Sequence, residues 1–441
     1  MERFAALKEY YAQSIGRRHL RELLADEDRT DSIFFEFPDF ALDLTRQKLD
    51  GHVLETFQTI FAEFAWPQIC RMAAGERMNA TEDRQVLHHL LREPDAERVP
   101  AALQACHAEV RAALGRVEQL SRAVRQGELL TAQERPFRHV ISIGIGGSYL
   151  GAECVHEALR LNPRYAHPDN LTLHFLANVD PACAAQLARD LDLLETLVVV
   201  VSKTFTTAET LQNMRLMQAL IEGEYARRGL VGESVVSRHF LAVTAAVELA
   251  QATGVARERV FPLWDFIGGR FSVSSTVGAL PLSLAYGFPV FEELLGGMNR
   301  LDRLFFAQDD VRENPAALLG LLDAYQNFVE GFAVAAVVPY AQGLSRLPAH
   351  VQQVAMESNG KRARVGEGPR AEAGRFVFGE PGTNSQHSFF QLLHQGRPCP
   401  VDFLGFAHCQ AAAPTIDGRD CFNEFMANLF AQADALALGQ P

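Results

Sequence analysis

A glutamate and a glutamine stand four residues apart in the stretch LPAHVQQVAMESNGK, residues 347–361. Pro348 suits a first helical turn and Asn359-Gly360 suits a left-handed helix stop, so we predict a helix that ends there. On that helix Gln353 and Glu357 point the same way. The negative end of the helix dipole makes a carboxylate more basic, which suits Glu357 to proton abstraction near neutral pH. A solvated glutamate at a helix end is the simpler alternative.

A histidine follows in GEPGTNSQHSFFQLLHQG, residues 379–396. If Thr383 or Asn384 caps the helix, His387 lies in the first turn, where the dipole favours a neutral imidazole that accepts protons. A hydrogen-bonded structural histidine is the alternative. His394 stands seven residues further on, which is not a chelating spacing, so we expect no metal site.

An arginine comes after two glycines in DFIGGRFSVSS, residues 265–275. Beside such permissive backbone, Arg270 can approach a developing oxyanion. An arginine at the surface or in an ion pair is the alternative.

The stretch GIGGSYLG, residues 144–151, stands between a predicted strand and a predicted helix. Its glycines let the backbone approach a ligand, and the amides at a helix start favour an anion. Tyr149 occupies a position that the dinucleotide fingerprint gives to glycine, and no Walker lysine follows, which disfavours NAD and nucleoside triphosphates. A structural tight turn is the alternative.

The stretch SKTFTTAET, residues 202–210, also follows an apolar strand. Thr206 and Glu209 have the spacing of a capping box, so we predict that the next helix starts there. Ser202, Thr204 and Thr207 supply hydroxyls in this loop, and Lys203 supplies one positive charge. Hydroxyls and amides together suit a phosphate monoester, and simple capping is the alternative. Both loops follow strands, and the carboxyl ends of strands are where open α/β sheets bind ligands.

Two α/β regions are predicted to position these residues. The apolar spacing in residues 1–135 predicts mostly helices. Apolar runs at 140–143, 171–176, 197–201 and 240–244 alternate with helical patterns, which predicts a parallel sheet covered on both faces. A second region begins near residue 285, with strands predicted at 332–339, 376–378 and 401–404 and a strong helix at 420–438.

Length, composition and charge exclude several classes of protein. The chain has 441 residues, 48% of them apolar and 22% charged, which predicts two or three globular domains. A net charge of −13 disfavours a non-specific nucleic-acid binder. Seven cysteines without a C-x-x-C pair predict reduced, mostly buried thiols rather than a disulfide scaffold or zinc site. The apolar runs are far shorter than the roughly 20 residues that span a bilayer, and the charged N-terminus lacks a signal region, so a cytoplasmic protein is expected.

Five stretches together resemble the phosphoglucose isomerase family. They are GIGGSYLGA, VVSKTFTTAETLQN, DFIGGRFS, QQVAMESNGK and GEPGTNSQHSFFQLLHQG. MNATEDRQVLHHLLR, residues 78–92, and NLFAQADALALG, residues 428–439, match weaker parts of the same pattern. The motifs occur in the family's order from about residue 78 to 439, which is far more specific than any one of them alone.

The resemblance implies a fold, a reaction and an assembly. The fold is α/β, with two sugar-isomerase (SIS) three-layer α/β/α sandwich domains, parallel sheets and an N-terminal helical extension. The expected divisions are 1–100 (helical), 101–284 (first domain) and 285–441 (second domain). The reaction interconverts glucose 6-phosphate and fructose 6-phosphate through a cis-enediol, without cofactor or metal, in a cytoplasmic homodimer.

The resemblance also implies site roles. Glu357 is similar to the base that moves a proton between C2 and C1, and Arg270 to the residue that stabilises the enediolate. His387 is similar to the ring-opening residue that a neighbouring subunit donates. The implied phosphate cradle is Ser202, Lys203, Thr204 and Thr207, and the further substrate contacts are Gly147, Ser148 and Gln353.

The sequence departs from the family pattern at a few positions. Tyr149 replaces an acidic residue, Ser385 a glycine and Phe271 a tyrosine. The family pattern also continues into a G-V-E-L-G-K-like motif, whose lysine assists ring opening and which has no match in residues 397–441. We therefore expect a second domain that is short at its C-terminal end. A sugar-phosphate-binding protein without catalysis and an isomerase that also accepts mannose 6-phosphate stay open as alternatives.

Overall fold

The computed structural model describes residues 2–230, 234–361, 374–411 and 414–439. The chain forms two compact units: one comprises residues 74–299, and the other combines residues up to 73 with those from 300 onward. The predicted domain limits at residues 100 and 284 stay a prediction, because a compact unit need not coincide with a family domain.

The first 73 residues are mainly helical, as predicted, but they also contain a short hairpin. The helices are α1 (Glu2–Gln13), α2 (Leu20–Leu24), α3 (Glu27–Ser32), α4 (Gly51–Ile60) and α5 (Trp66–Ala73). A π-helical turn, Phe61–Ala65, joins the last two. The hairpin pairs β1 (Phe34–Glu36) with β2 (Ala41–Asp43).

Strands and helices alternate through the middle of the chain. The strands are β3 (His139–Ile143), β4 (Thr172–Leu176), β5 (Thr196–Val201), β6 (Phe240–Thr244) and β7 (Val260–Pro262). The helices are α6 (Gln104–Arg125), α7 (Leu150–Arg160), α8 (Pro181–Asp190), α9 (Ala208–Arg227), α10 (Val235–His239), α11 (Val247–Ala252), α12 (Thr276–Tyr286) and α13 (Phe288–Ala307).

The remaining elements complete the C-terminal part. The helices are α14 (Pro315–Phe328), α15 (Leu347–Asn359), α16 (Gly382–Gln386), α17 (Phe390–Gln395) and α18 (Cys421–Leu438). The strands are β8 (Val334–Pro339), β9 (Phe376–Phe378), β10 (Val401–Leu404), β11 (Thr415–Ile416) and β12 (Arg419–Asp420).

The sheet of the 74–299 unit is parallel throughout, with strand order β4-β3-β5-β6-β7. Every residue of β5 and β6 is buried. Alternate strand residues enter two separate cores, such as Val199 on one face and Val198 on the other. The predicted parallel sheet covered on both faces is confirmed.

The C-terminal residues form a second parallel sheet, with strand order β10-β8-β9. All three of its strands were predicted. Tyr340, Phe390 and Met426 lie in its core, but Phe430 on α18 is 58% exposed, so the apolar side chains of that helix are only partly buried. The chain is therefore α/β with two parallel sheets. The expectation of mostly buried thiols is wrong, because only Cys154 of the seven unpaired cysteines is fully buried.

Candidate active site

The loop after β3 packs directly on the segment that carries Arg270. A Cβ atom on Gly147 would lie 2.3 Å from the carbonyl carbon of Gly269 and 2.5 Å from the backbone nitrogen of Arg270. The Ser272 hydroxyl donates to the Gly147 carbonyl at 3.1 Å. Only glycine fits this approach, so the loop joins two chain segments and is more than a local tight turn.

The hydroxyls of the loop after β5 bind one another. Ser202 Oγ donates to Thr207 Oγ1 at 3.2 Å, and Thr206 Oγ1 donates to Thr204 Oγ1 at 2.7 Å. The predicted capping box is wrong: Thr207 is the N-cap of α9, and its hydroxyl accepts no hydrogen bond from the helix amides. The first turn of α9 is thus left without a side-chain cap, directly beside the hydroxyl cluster.

These two loops flank the switch point of the sheet. β3 and β5 are neighbours, and β4 lies on one side of the pair while β6 lies on the other. The chain therefore leaves β3 and β5 in opposite directions, and open α/β sheets bind ligands outside the carboxyl ends of the strands at such a point. Residues 144–148 and 202–207 directly follow these two strands.

Lys203 lies in the loop after β5, and its side chain contacts the segment after β7. Its Nζ donates to the carbonyls of Asp265 at 3.1 Å and Ile267 at 2.9 Å. The Asp265 carboxylate lies 3.7 Å from Nζ. Desolvation lowers the pKa of Lys203, and the charge of Asp265 opposes that shift.

Arg270 is half-buried in a 3₁₀ turn, Gly269–Ser274. Its guanidinium carbon lies 5.1 Å from the centre of the Phe271 ring, which stacks on His88 at 5.8 Å. Desolvation lowers the pKa of His88 to about 3, so this imidazole is neutral near pH 7. The sequence patterns did not single out His88, although its motif, residues 78–92, matched the family pattern.

Gln353 and Glu357 lie one turn apart on α15, in the other unit. The Gln353 amide donates to Glu357 Oε2 at 2.9 Å, which confirms their predicted common direction. Glu357 is exposed in the last turn of the helix. Gln352 anchors α15 to the sheet by donating to the Val377 carbonyl at 2.8 Å. The predicted left-handed stop is wrong: Gly360 has a φ of −74°, and glycine is needed because a Cβ would lie 2.6 Å from the Met356 carbonyl oxygen.

His387 ends a short helix instead of beginning a long one. Its backbone N–H closes α16 by donating to the Asn384 carbonyl at 3.0 Å, and the N-cap is Pro381. Its predicted place in a first turn, capped by Thr383 or Asn384, is therefore wrong. At the first residue of this helix, Gly382 lies against the Tyr340 ring, where a Cβ would come within 2.4 Å, so glycine is required there. The imidazole of His387 is exposed.

The structure thus gathers the predicted residues into groups. The 74–299 unit brings Gly147, Ser148 and Arg270 together and places them on the same sheet edge as the 202–207 loop. The other unit pairs Gln353 with Glu357 and places His387 on a separate loop. Across the described ranges, no cluster of three or more His, Cys, Asp or Glu side chains could hold a metal ion. None of the helices in those ranges is long and apolar enough to span a bilayer.

Known proteins are similar to this chain over nearly all of its length. The cytosolic glucose-6-phosphate isomerase of Zea mays is 40% identical over 446 residues, covering 100% of this chain and 77% of the maize protein. The cytosolic enzyme of Arabidopsis thaliana is 40% identical over 435 residues, covering 98% of this chain and 76% of the relative.

Solved structures extend the comparison to the fold. A glucose-6-phosphate isomerase from Chlamydia trachomatis superimposes with a TM-score of 0.85 at 31% identity, covering 100% of this chain and 82% of that one. A hypothetical protein from Thermus thermophilus shares the fold, with a TM-score of 0.62 at 23% identity over 89% of this chain and 86% of its own. The family model "Phosphoglucose isomerase" matches residues 43–441. On these findings, the chain belongs to the phosphoglucose isomerase family.

Proposed function

We propose that this chain is an aldose–ketose isomerase that interconverts glucose 6-phosphate and fructose 6-phosphate. The observation that carries the proposal is the sheet edge of the 74–299 unit. There the hydroxyl-rich loop after β5 leads into the uncapped start of α9, and the Gly147 loop after β3 packs on the segment of Arg270. Phosphate binding beside an arginine suits a phosphorylated sugar. The 40% identity to enzymes named for this activity supports the same reading.

In the proposed reaction Glu357 is the base. It takes the proton from C2 of the open aldose, and the electron pair of that C–H bond forms the C1–C2 double bond of a cis-enediolate. The same carboxyl group returns a proton to C1, while a proton moves between O1 and O2. A positioned base contributes about 10²–10⁴ in rate. The hydrogen bond from Gln353 orients the carboxylate for this step.

Arg270 supports the intermediate by charge. Its guanidinium is the group that we assign to the enediolate oxygens, where negative charge develops. The half-buried position against Phe271 strengthens such an interaction, since less water competes for the charge. Arginine keeps its proton throughout, so it stabilises the oxyanion without taking part in the proton transfer.

We assign the phosphate to the carboxyl ends of β3 and β5, where the two loops lie. Ser202, Thr204 and Thr207 supply hydroxyls that can turn from one another to the phosphate oxygens. Lys203 lies in the same loop, with its ammonium group on the carbonyls of Asp265 and Ile267. Gly147, Ser148 and Gln353 are the further substrate contacts that we propose.

His387 is the residue that we propose for opening the sugar ring, donated by the neighbouring subunit of a cytoplasmic homodimer. The plant relatives are named cytosolic, which supports that location. Proton transfers by carboxylate and imidazole are sufficient for ring opening and isomerisation, so the proposed reaction requires neither metal nor organic cofactor.

A steady-state assay tests the activity. The purified chain is expected to form fructose 6-phosphate from glucose 6-phosphate and to run the reverse reaction. The Thr207→Val variant removes one proposed phosphate ligand and should raise KM about tenfold, with kcat nearly unchanged. A folded chain that shows no turnover in either direction would refute the proposed function.

Mixed dimers test the role of the partner subunit. Two inactive variants, Glu357→Gln and His387→Asn, are refolded or co-expressed together. If His387 serves the neighbouring site, each hybrid dimer regains one intact site, and the mixture recovers about a quarter of the wild-type activity. If His387 serves its own subunit, the mixture stays inactive, and the proposed exchange across the interface is wrong.

A further inference from the structure

Lys203 lies in the proposed phosphate loop, but its ammonium group is turned to another chain segment. Within the described part of the chain, both side-chain hydrogen bonds of Lys203 go to backbone carbonyls, those of Asp265 and Ile267. The Asp265 carboxylate, 3.7 Å away, is the nearest anion partner. An ammonium group has three donors, and two of them are therefore used by the segment that follows β7.

The backbone of Lys203 is held as firmly as its side chain. Its carbonyl accepts a hydrogen bond from the Ala245 amide at 2.9 Å and another from the Thr244 hydroxyl at 3.1 Å. The side chain is only 24% exposed. Lys203 therefore links the ends of β5 and β6 to the segment after β7. Its side chain extends from a backbone that is itself held by two hydrogen bonds.

The linked segment leads directly to Arg270. Two glycines separate Ile267 from Arg270, and a Cβ on Gly269 would meet nothing within 4 Å. These glycines give the backbone freedom that must be removed elsewhere if the guanidinium is to hold one position. On the far side, Ser272 donates to the Gly147 carbonyl at 3.1 Å. Lys203 provides the corresponding anchor on the near side.

We propose that Lys203 is a positioning residue for Arg270: its ammonium group fixes the carbonyls of Asp265 and Ile267, and it does not bind the substrate phosphate directly. The proposal rests on the proposed isomerase function, in which Arg270 stabilises the enediolate. A phosphate ligand would have to draw the ammonium group from two hydrogen bonds that it already makes. As an anchor, the same group couples the phosphate loop to the arginine that acts in the chemical step.

Substitution of Lys203 distinguishes the proposed positioning of Arg270 from direct binding of the phosphate. Lys203→Met should lower kcat about 100-fold, because misplacing a charge-stabilising group by about 1 Å costs that much. The inhibition constant of inorganic phosphate, a probe for the phosphate site alone, should change less than about threefold. Lys203→Gln keeps one amide donor and should be intermediate. Lys48→Met is the matched control, since Lys48 Nζ also donates to a backbone carbonyl, that of Gly16 at 2.6 Å.

Hydrogen exchange provides a readout that does not depend on activity. In Lys203→Met the amides of residues 266–272 should exchange faster, while those of β5 keep the wild-type rate. Lys203→Gln serves the same comparison if the methionine variant does not fold. If the wild-type chain has no isomerase activity, the proposed function fails, and the exchange result alone then decides whether Lys203 anchors this segment.

Two results would overturn the proposal. One is a rise of more than about tenfold in the inhibition constant of phosphate with kcat preserved, which is the behaviour of a direct phosphate ligand. The other is unchanged exchange at residues 266–272 in a folded variant.

Discussion

The side-chain amide of Gln353 donates to Oε2 of Glu357 at 2.9 Å, one helical turn away. The next residue, Gln352, donates instead to the Val377 carbonyl at 2.8 Å. Two adjacent glutamines of α15 therefore bind different partners. One orients the proposed base, and the other fixes the helix to its sheet.

Replacing Gln353 should reduce catalysis without reducing stability. In Gln353→Met the carboxylate of Glu357 loses a charge-assisted hydrogen bond and samples more orientations, so kcat/KM should fall about tenfold or more. Gln352→Met is the matched control and should cost about 1 kcal/mol of unfolding free energy with little change in kcat/KM. Steady-state kinetics and urea unfolding of both variants check this. The reverse pattern would contradict the assignment.

A methyl group on Gly147 should disrupt the site locally. The added Cβ would lie 2.3 Å from the Gly269 carbonyl carbon, so the Arg270 segment must shift. We expect Gly147→Ala to lower kcat/KM about 100-fold while the sheet stays folded. Gly115→Ala is the control: a Cβ on that helical glycine would meet nothing within 4 Å, and the replacement should stabilise the protein by about 0.5–1 kcal/mol. Wild-type kinetics for Gly147→Ala would show that the close approach has no role in catalysis.

The stability of the protein should depend on the protonation of Glu330. Burial raises the pKa of this carboxyl to about 7 from an ordinary 4.5, although the charges of Lys48 and Arg375 lower it. Because the folded-state pKa is raised, the contribution to stability is complete below about pH 4.5 and is lost as the pH rises through 7. Glu330→Gln imitates the protonated form and should gain about 1–3 kcal/mol over wild type at pH 8, but little at pH 5. Urea unfolding at both pH values checks this, and an equal difference at the two would contradict it.

Much of the sheet and part of the site follow from local sequence. The runs at 140–143 and 197–201 are apolar and rich in β-branched residues, and both form fully covered strands. The Gln353–Glu357 pair also follows from helical spacing, because side chains four residues apart share a face.

One wrong prediction has a local cause, and another involves contacts that are distant in sequence. Thr206 has capping-box spacing, but Thr207 is the N-cap and the Thr206 hydroxyl donates to Thr204, two residues away. His387 ends a short helix whose first residue, Gly382, packs on Tyr340, a residue distant in sequence. The carbonyl partners of Lys203 lie more than 60 residues further along the chain, so no local pattern predicts them.

Proton exchange at C2 of the sugar reports directly on whether Glu357 is the base. The purified chain is incubated with glucose 6-phosphate in D₂O, and deuterium at C2 is followed by NMR. We expect deuterium to enter C2 during turnover, and Glu357→Gln to slow its entry about 10³-fold or more. Glu55→Gln, at an exposed helical glutamate of the same unit, should match wild type. Exchange at the wild-type rate in the Glu357→Gln variant would show that Glu357 is not the base.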